Sequence, residues 1–365
     1  LTSRYLRALA VAGVALIAAC SGGSLNQTVP SAGSPSGQSA QRLDPQSRPI
    51  YTVLPYKGPM PNIHTPASLT TWNGSFVYNS HTYNYTMVGT DPSTTNYTTT
   101  IAVKVIPLKV IISGKRFSPT KKLPNGKTVL ENTMASPLFQ SSVDFVQGGT
   151  DLGKTQYEDA FQRGNFWSSV QTNTGYHVLL KTKVLKEMTL RPPSNVAKLG
   201  NEFGITTGLV DINWIDGQLN TIISKLKIPP NELPLFEVSD VYETIYGGCC
   251  VGGYHSYNGT NTYSIATYFT VPGSFSQDVS AFSHELGEWY DDPYTNNRVA
   301  CGILEVGDPL EGNSNYGGYK YPVNGFTYNL QDLVFLPYFG APASTSVNGW
   351  STFQGETLGV CQNGG

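Results

Sequence analysis

The sequence predicts an α+β fold. Segments rich in Thr, Tyr, Val and Ile are mixed with segments of helical apolar spacing, without the strict alternation of a βαβ chain. The strand-type segments dominate the N-terminal half, and one well-marked helix lies late in the chain.

Phe76–Val88 and Tyr97–Ile112 read as strands because β-branched and aromatic residues recur through both. Asp91-Pro92-Ser93 marks the turn between them. Tyr157, Ala160, Phe161 and Phe166/Trp167 recur at three and four residues, so 155–170 reads as a helix. Tyr176–Leu180 is strand-like, and Ile212–Leu226 is a second amphipathic helix. Leu235–Tyr242 and Tyr263–Val271 read as strands bracketing a glycine-rich loop, Gly247–Gly253. Tyr319–Tyr338 reads as a hairpin turning at Val323-Asn324-Gly325, since Asn-Gly favours a two-residue turn.

The first residues do not belong to this fold. Arg4 and Arg7 precede a short apolar run, Ala8–Ala19, and residues 1–19 read as an export signal. Ile17-Ala18-Ala19-Cys20 resembles a bacterial lipobox, which implies a chain lipidated at Cys20 and anchored to a membrane on its extracytoplasmic side. Residues 20–50, rich in Ser, Gly, Gln and Pro, read as a tether. Residues 51–365 then form a single globular domain or two halves, 51–200 and 201–365.

Removing two arginines from a net charge of −2 leaves −4, and no basic block exists, so nucleic acid is excluded as a partner class. Only 13% of residues are charged, which suits an exported, strand-rich protein. Apart from Cys20, the cysteines are Cys249, Cys250, Cys301 and Cys361. An even number behind an export signal implies two disulfides. A bridge between neighbours is strained, so Cys249 and Cys250 are each expected to pair with Cys301 or Cys361.

The chemistry-bearing stretch is His284-Glu285-Leu286-Gly287-Glu288, inside Ser283–Pro293, which reads as the middle and end of a helix. At roughly 100° per residue, His284 and Glu288 lie ~40° apart on one face and can aim at one ion. Glu285 lies ~60° further round. Val279, Phe282, Leu286 and Trp289/Tyr290 form the opposite, apolar face, leaving the polar face to line a cleft. Ser276 is the expected N-cap, with Asp278 in the first turn. Asp291-Asp292-Pro293 ends the helix, and two carboxylates at its negative end call for a partner, a cation or Arg298. The plain alternative is an amphipathic helix whose polar face is only solvated.

The spacing resembles the zinc-protease signature H-E-x-x-H with its second histidine replaced by glutamate. In that pattern His284 and Glu288 are metal ligands and Glu285 is the general base. A catalytic zinc site needs a third protein ligand, and Glu305-Val306-Gly307-Asp308 is the nearest acidic cluster, with Glu305 the first choice and Asp308 the alternative. H-E-x-x-E, then Asx-Pro at 292–293, then E-x-x-D at 305–308 is similar to secreted bacterial proteins and to plant phosphate-induced (Exordium-like) proteins. Gly253-Tyr254-His255 and Tyr321–Leu330 are similar to the same family, so the resemblance spans residues 245–365. Residues 75–185 resemble exported bacterial proteins more loosely, at Val88–Pro92 and Thr155–Ala160. The resemblance implies a zincin-like, metalloprotease-related fold. Pro309 departs from it, standing where the family often has cysteine.

Three functions fit these residues. The first is a surface-anchored zinc hydrolase, an endopeptidase acting on peptides or on a cell-wall polymer. An anionic ligand in place of histidine should weaken the metal's Lewis acidity and slow it. His255 or a nearby tyrosine could steady the oxyanion, though a structural role suits His255 better. The second is a non-catalytic surface or binding protein on the same fold. The third is a glycosidase using two of Glu285, Glu288, Asp291 and Asp292, which is disfavoured because one helix turn seldom straddles a sugar.

Overall fold

The computed structural model describes residues 50–54, 68–271, 277–311, 313 and 317–362. The export signal 1–19, Cys20, the tether up to residue 49 and Ser276 lie outside the described residues.

β1 (Ile50–Leu54) is followed by a hairpin of β2 (Thr71–Tyr78) and β3 (His81–Val88). Asn79 and Ser80 turn that hairpin in the left-handed region, so the segment read as one strand is two. β4 (Thr98–Ile112) is the longest strand and spans nearly the segment expected. β5 (Lys115–Phe117), α1 (Val129–Met134) and the hairpin β6 (Val143–Gln147)–β7 (Thr150–Thr155) follow. The helix expected over 155–170 is broken at Phe166 into α2 (Tyr157–Asn165) and α3 (Trp167–Val170). Next come β8 (His177–Val184), β9 (Met188–Leu190), β10 (Ala197–Gly200) and β11 (Thr207–Asp211). α4 (Ile212–Leu226) has the predicted limits; Asp211 caps it by accepting from Trp214 N at 3.0 Å.

β12 (Glu232–Ser239) and β13 (Val241–Ile245) share the segment read as one strand, separated by Asp240 at positive φ. β14 (Gly248–Tyr257) replaces the expected glycine-rich loop, and β15 (Thr262–Tyr268) follows. α5 (Ser280–Asp291) starts later than a Ser276 N-cap implies: Val279 stands at the N-cap and Asp278 precedes the helix. A short pair, β16 (Arg298–Val299) and β17 (Gly302–Ile303), precedes the hairpin β18 (Gly318–Val323)–β19 (Phe326–Gln331). That hairpin turns at Asn324-Gly325, both with positive φ as an Asn-Gly turn requires.

Among the described residues, eleven strands make one mixed sheet, in the order β10-β11-β13-β14-β15-β12-β4-β5, with β1 on β14 and β8 and β9 on β4. Residues from both proposed halves enter it, because β4 pairs with β8 and with β12. α4 covers one face, over Ile106, Leu108, Phe236, Val238 and Tyr254. α2, α5 and β19 cover the other, where Phe161, Leu286, Trp289, Phe335 and Phe353 lie in the larger core.

The α+β, zincin-like expectation is overturned. Strand accounts for 41% of the structure and helix for 21%, in a curled mixed sheet, so the protein is mostly β. The surplus strands are short, glycine-containing or buried on both faces. β14 is buried along nearly its whole length, so no polar–apolar alternation marks it in sequence.

The disulfides also differ from expectation. Cys249 pairs with Cys250, and Cys301 with Cys361. Cross-pairing is not available because Cys250 packs with Leu209, Tyr242 and Phe269, whereas Cys301 lies against the larger core. The two bridges should differ sharply in worth. The Cys301–Cys361 bridge spans 60 residues and should contribute about 2–4 kcal/mol, whereas the neighbouring pair closes almost no loop. Urea melts of Cys301→Ser and Cys249→Ser check this; equal destabilisation would contradict it.

Two buried carboxyls should shape the stability profile. Glu243 on β13 and Glu237 on β12 are fully buried, and burial pushes each up to about 8. A folded chain then holds a proton on each that the unfolded chain releases near 4.5. Stability should therefore fall as pH rises from about 4.5 to 8 and level off above. Glu243→Gln should remove part of that slope and be about 2–4 kcal/mol more stable than wild type at pH 8.5, with little difference at pH 4. Denaturant melts across that range test it; an unchanged slope would contradict it.

Candidate metal centre

α5 is buried on every side, and this is the first difference from the amphipathic helix expected. Its apolar residues enter the core as read, but its polar face packs against β14 and the 304–308 loop instead of opening to solvent. Asp278 lies before the helix and accepts from Val279 N at 2.6 Å and from Asn329 N at 2.9 Å. The acidic C-terminus is settled by local donors. Asp292 accepts from Asn296 N and Asn297 N, each at 2.9 Å, and Asp291 accepts from Gln162 Nε2. Arg298 makes only a lesser electrostatic contribution to Asp292. With both aspartates so engaged, a carboxylate pair across a sugar cleft gains no support.

His284, Glu285 and Glu288 come together as the spacing predicts, all with 0% exposure. His284 Nε2 lies 2.9 Å from Glu288 Oε1 and 3.5 Å from Asp308 Oδ1. The ring's other nitrogen is fixed from outside. Gln331 Nε2 donates to Gly307 O at 3.1 Å, which turns its Oε1 towards His284, and Nδ1–H donates to that oxygen at 2.9 Å. Nε2 is thereby the nitrogen presented to the carboxylates. Gly307 makes this possible: an added Cβ would fall within the His284 ring, and its N–H donates to Glu288 Oε1 at 3.2 Å.

His255, given a structural role above, belongs to the centre. β14 carries it to α5, with Nδ1 3.4 Å from Glu285 Oε2 and 3.6 Å from Glu288 Oε2. Nε2–H donates to Asp292 O at 3.1 Å, which leaves Nδ1 as the lone-pair nitrogen. Nδ1 and both Glu285 oxygens have no hydrogen-bond partner among the described residues. Both third-ligand candidates are present, in different places. Asp308 groups with His284 and Glu311, and Glu305 with His255 and Glu288, ligand atoms in each group lying within 4.8 Å of one another. Gln331 and Glu311 were not singled out in the sequence, and only tertiary packing brings them in; Gly307 was read as allowing close backbone approach, and the His284 ring lies against it.

The electrostatics are those of a crowded acid cluster. Burial raises Glu285 and Glu305 well above the usual carboxylate range, with Glu288 and Asp308 adding to the effect. Burial would also raise Glu288, but His284 beside it holds that carboxyl down at about 2. Burial works to lower His284, yet Glu288, Asp308 and Glu285 together hold it well above its ordinary value. Burial lowers His255 to about 4, so its ring is neutral. Neutral imidazole beside clustered carboxylates is a donor set suited to zinc or a similar divalent ion.

The centre meets solvent on one side. A pocket of about 260 Å³, formed by Cys301–Ile303, Pro309 and Phe339, reaches Glu305 and Asp308. Asp308 is the partly exposed member, its side chain 31% accessible. No protein-family model, curated protein or solved structure matches this chain.

Proposed function

We propose that the chain is a zinc-dependent hydrolase of the metallopeptidase type, with His284, Glu288 and Asp308 as ligands and Glu285 as general base. The observation that carries this reading is the pair of imidazole nitrogens aimed into a buried carboxylate cluster, each ring fixed by a hydrogen bond from its other nitrogen. Bare, such a cluster must hold extra protons or suffer repulsion; a divalent ion relieves both.

When bound, zinc supplies Lewis-acid polarisation of a carbonyl and a more acidic water. Glu285 stands next to His284 with both oxygens uncommitted among the described residues, so it can take a proton and return it to a leaving amine. The pocket at Cys301–Ile303 and Phe339 is the way in for a peptide or another extracellular polymer. Ile17–Cys20 supports a lipid anchor holding the enzyme outside a bacterial cytoplasm, and the motif spacing supports kinship with the phosphate-induced proteins.

The full burial of His284, Glu285 and Glu288 favours a second reading, a non-catalytic surface protein that uses the ion to hold α5 to β14. Metal analysis of the mature chain, together with a broad peptide-substrate screen, separates them. A stoichiometric metal with turnover supports the hydrolase, metal without turnover supports the binding protein, and no metal removes both.

A further inference from the structure

We propose that the centre is built for two divalent cations bridged by Glu288, the second held by His255 Nδ1, Glu288 Oε2 and Glu305. The proposal rests on the hydrolase reading for its first ion and adds a position which that reading does not use.

Two of the distances point to shared ions, while the 2.9 Å between His284 Nε2 and Glu288 Oε1 is a hydrogen-bond separation that would widen on metal binding. His255 Nδ1 is 3.6 Å from Glu288 Oε2, and His284 Nε2 is 3.5 Å from Asp308 Oδ1. Both are too long for good hydrogen bonds. Two donors bound tetrahedrally to one zinc at about 2.0–2.2 Å stand roughly 3.3–3.6 Å apart. Glu288 divides its oxygens between the two groups: Oε1 faces His284 and Gly307 N, and Oε2 faces His255. A carboxylate used in this way bridges two ions, and two-metal hydrolytic sites hold their ions about 3.5–4 Å apart.

His255 gives the independent sign of a ligand. It is fully buried, its Nε2–H is committed to the Asp292 carbonyl, and its Nδ1 lone pair faces carboxylates with no hydrogen-bond partner among the described residues. A lone pair aimed at carboxylates is repulsive unless a proton or a metal ion lies between them. Glu305, 7% exposed, sits against Glu288 and completes the group at the pocket edge.

The test uses the purified full chain, loaded with Zn²⁺ and dialysed, with metal counted by mass spectrometry. Two equivalents are expected in wild type and one in Glu305→Gln and in His255→Asn. Loading with Mn²⁺ should give an exchange-coupled electron paramagnetic resonance signal in wild type and an isolated-ion signal in Glu305→Gln, whose position at the pocket edge favours correct folding. One equivalent in wild type, unchanged in both variants, overturns the second position and leaves the hydrolase reading standing. Two equivalents retained in both variants overturn the ligand assignment. No bound metal overturns both readings.

Discussion

Glu285→Gln is expected to keep the metal content of wild type and to lower hydrolytic turnover about 10²–10⁴-fold. The substitution removes a base and leaves His284, Glu288 and Asp308 intact. Its packing should survive, because Glu285 lies against Gly253 and glutamine has nearly the same shape. His284→Ala is the companion: it should lose the first ion and all activity. Parallel metal counts and initial rates on a cleaved peptide decide the matter. Turnover unchanged in Glu285→Gln would refute its role as base and favour the binding-protein reading.

Gly307→Ala should be nearly as damaging, although residue 307 supplies no side-chain ligand. Its backbone is right-handed, with φ −92° and ψ −38°, so alanine meets no conformational penalty. The added methyl would instead occupy the space of the His284 ring. That ring cannot retreat easily, since Gln331 holds Nδ1 and Gln331 N is itself bonded to Ser283 Oγ at 2.9 Å. Zinc affinity should fall about 10–100-fold. Overpacking should destabilise the fold by about 1–3 kcal/mol. Competition with a chromophoric chelator measures the first and a denaturant melt the second. Wild-type affinity in Gly307→Ala would show that the ring's placement is not set by this contact.

The helix motif was legible because its logic is local. His284 and Glu288 share a face by helical geometry alone, although the apolar stripe opposite them did not show that their own face is buried too. α4 was legible to the residue, since Asp211 caps it and Ile212, Ile215, Leu219, Ile222 and Ile223 make a single buried stripe. The Asn324-Gly325 turn was legible from the backbone preferences of two residues. What stayed hidden depends on contacts between distant segments. Gly253 looked like loop material, yet it is a strand residue lying under the Glu285 side chain. His255 carried no spacing that ties it to His284; only the pairing of β14 with β15, and the packing of α5 on both, brings it there. The fold class was misjudged for the same reason, because strands buried on both faces resemble any other apolar run.

The order of the ligands along the chain has a temporal consequence. His255, His284, Glu288, Glu305 and Asp308 follow one another in sequence, and Gln331, which orients the first imidazole, comes last. A chain emerging from its N-terminus therefore displays the β2–β3 hairpin and β4 long before any pair of these donors can meet. On the proposed metal reading, the trap would close only after β19 has docked on α5, so a chain ended before β19 should bind the ion more weakly.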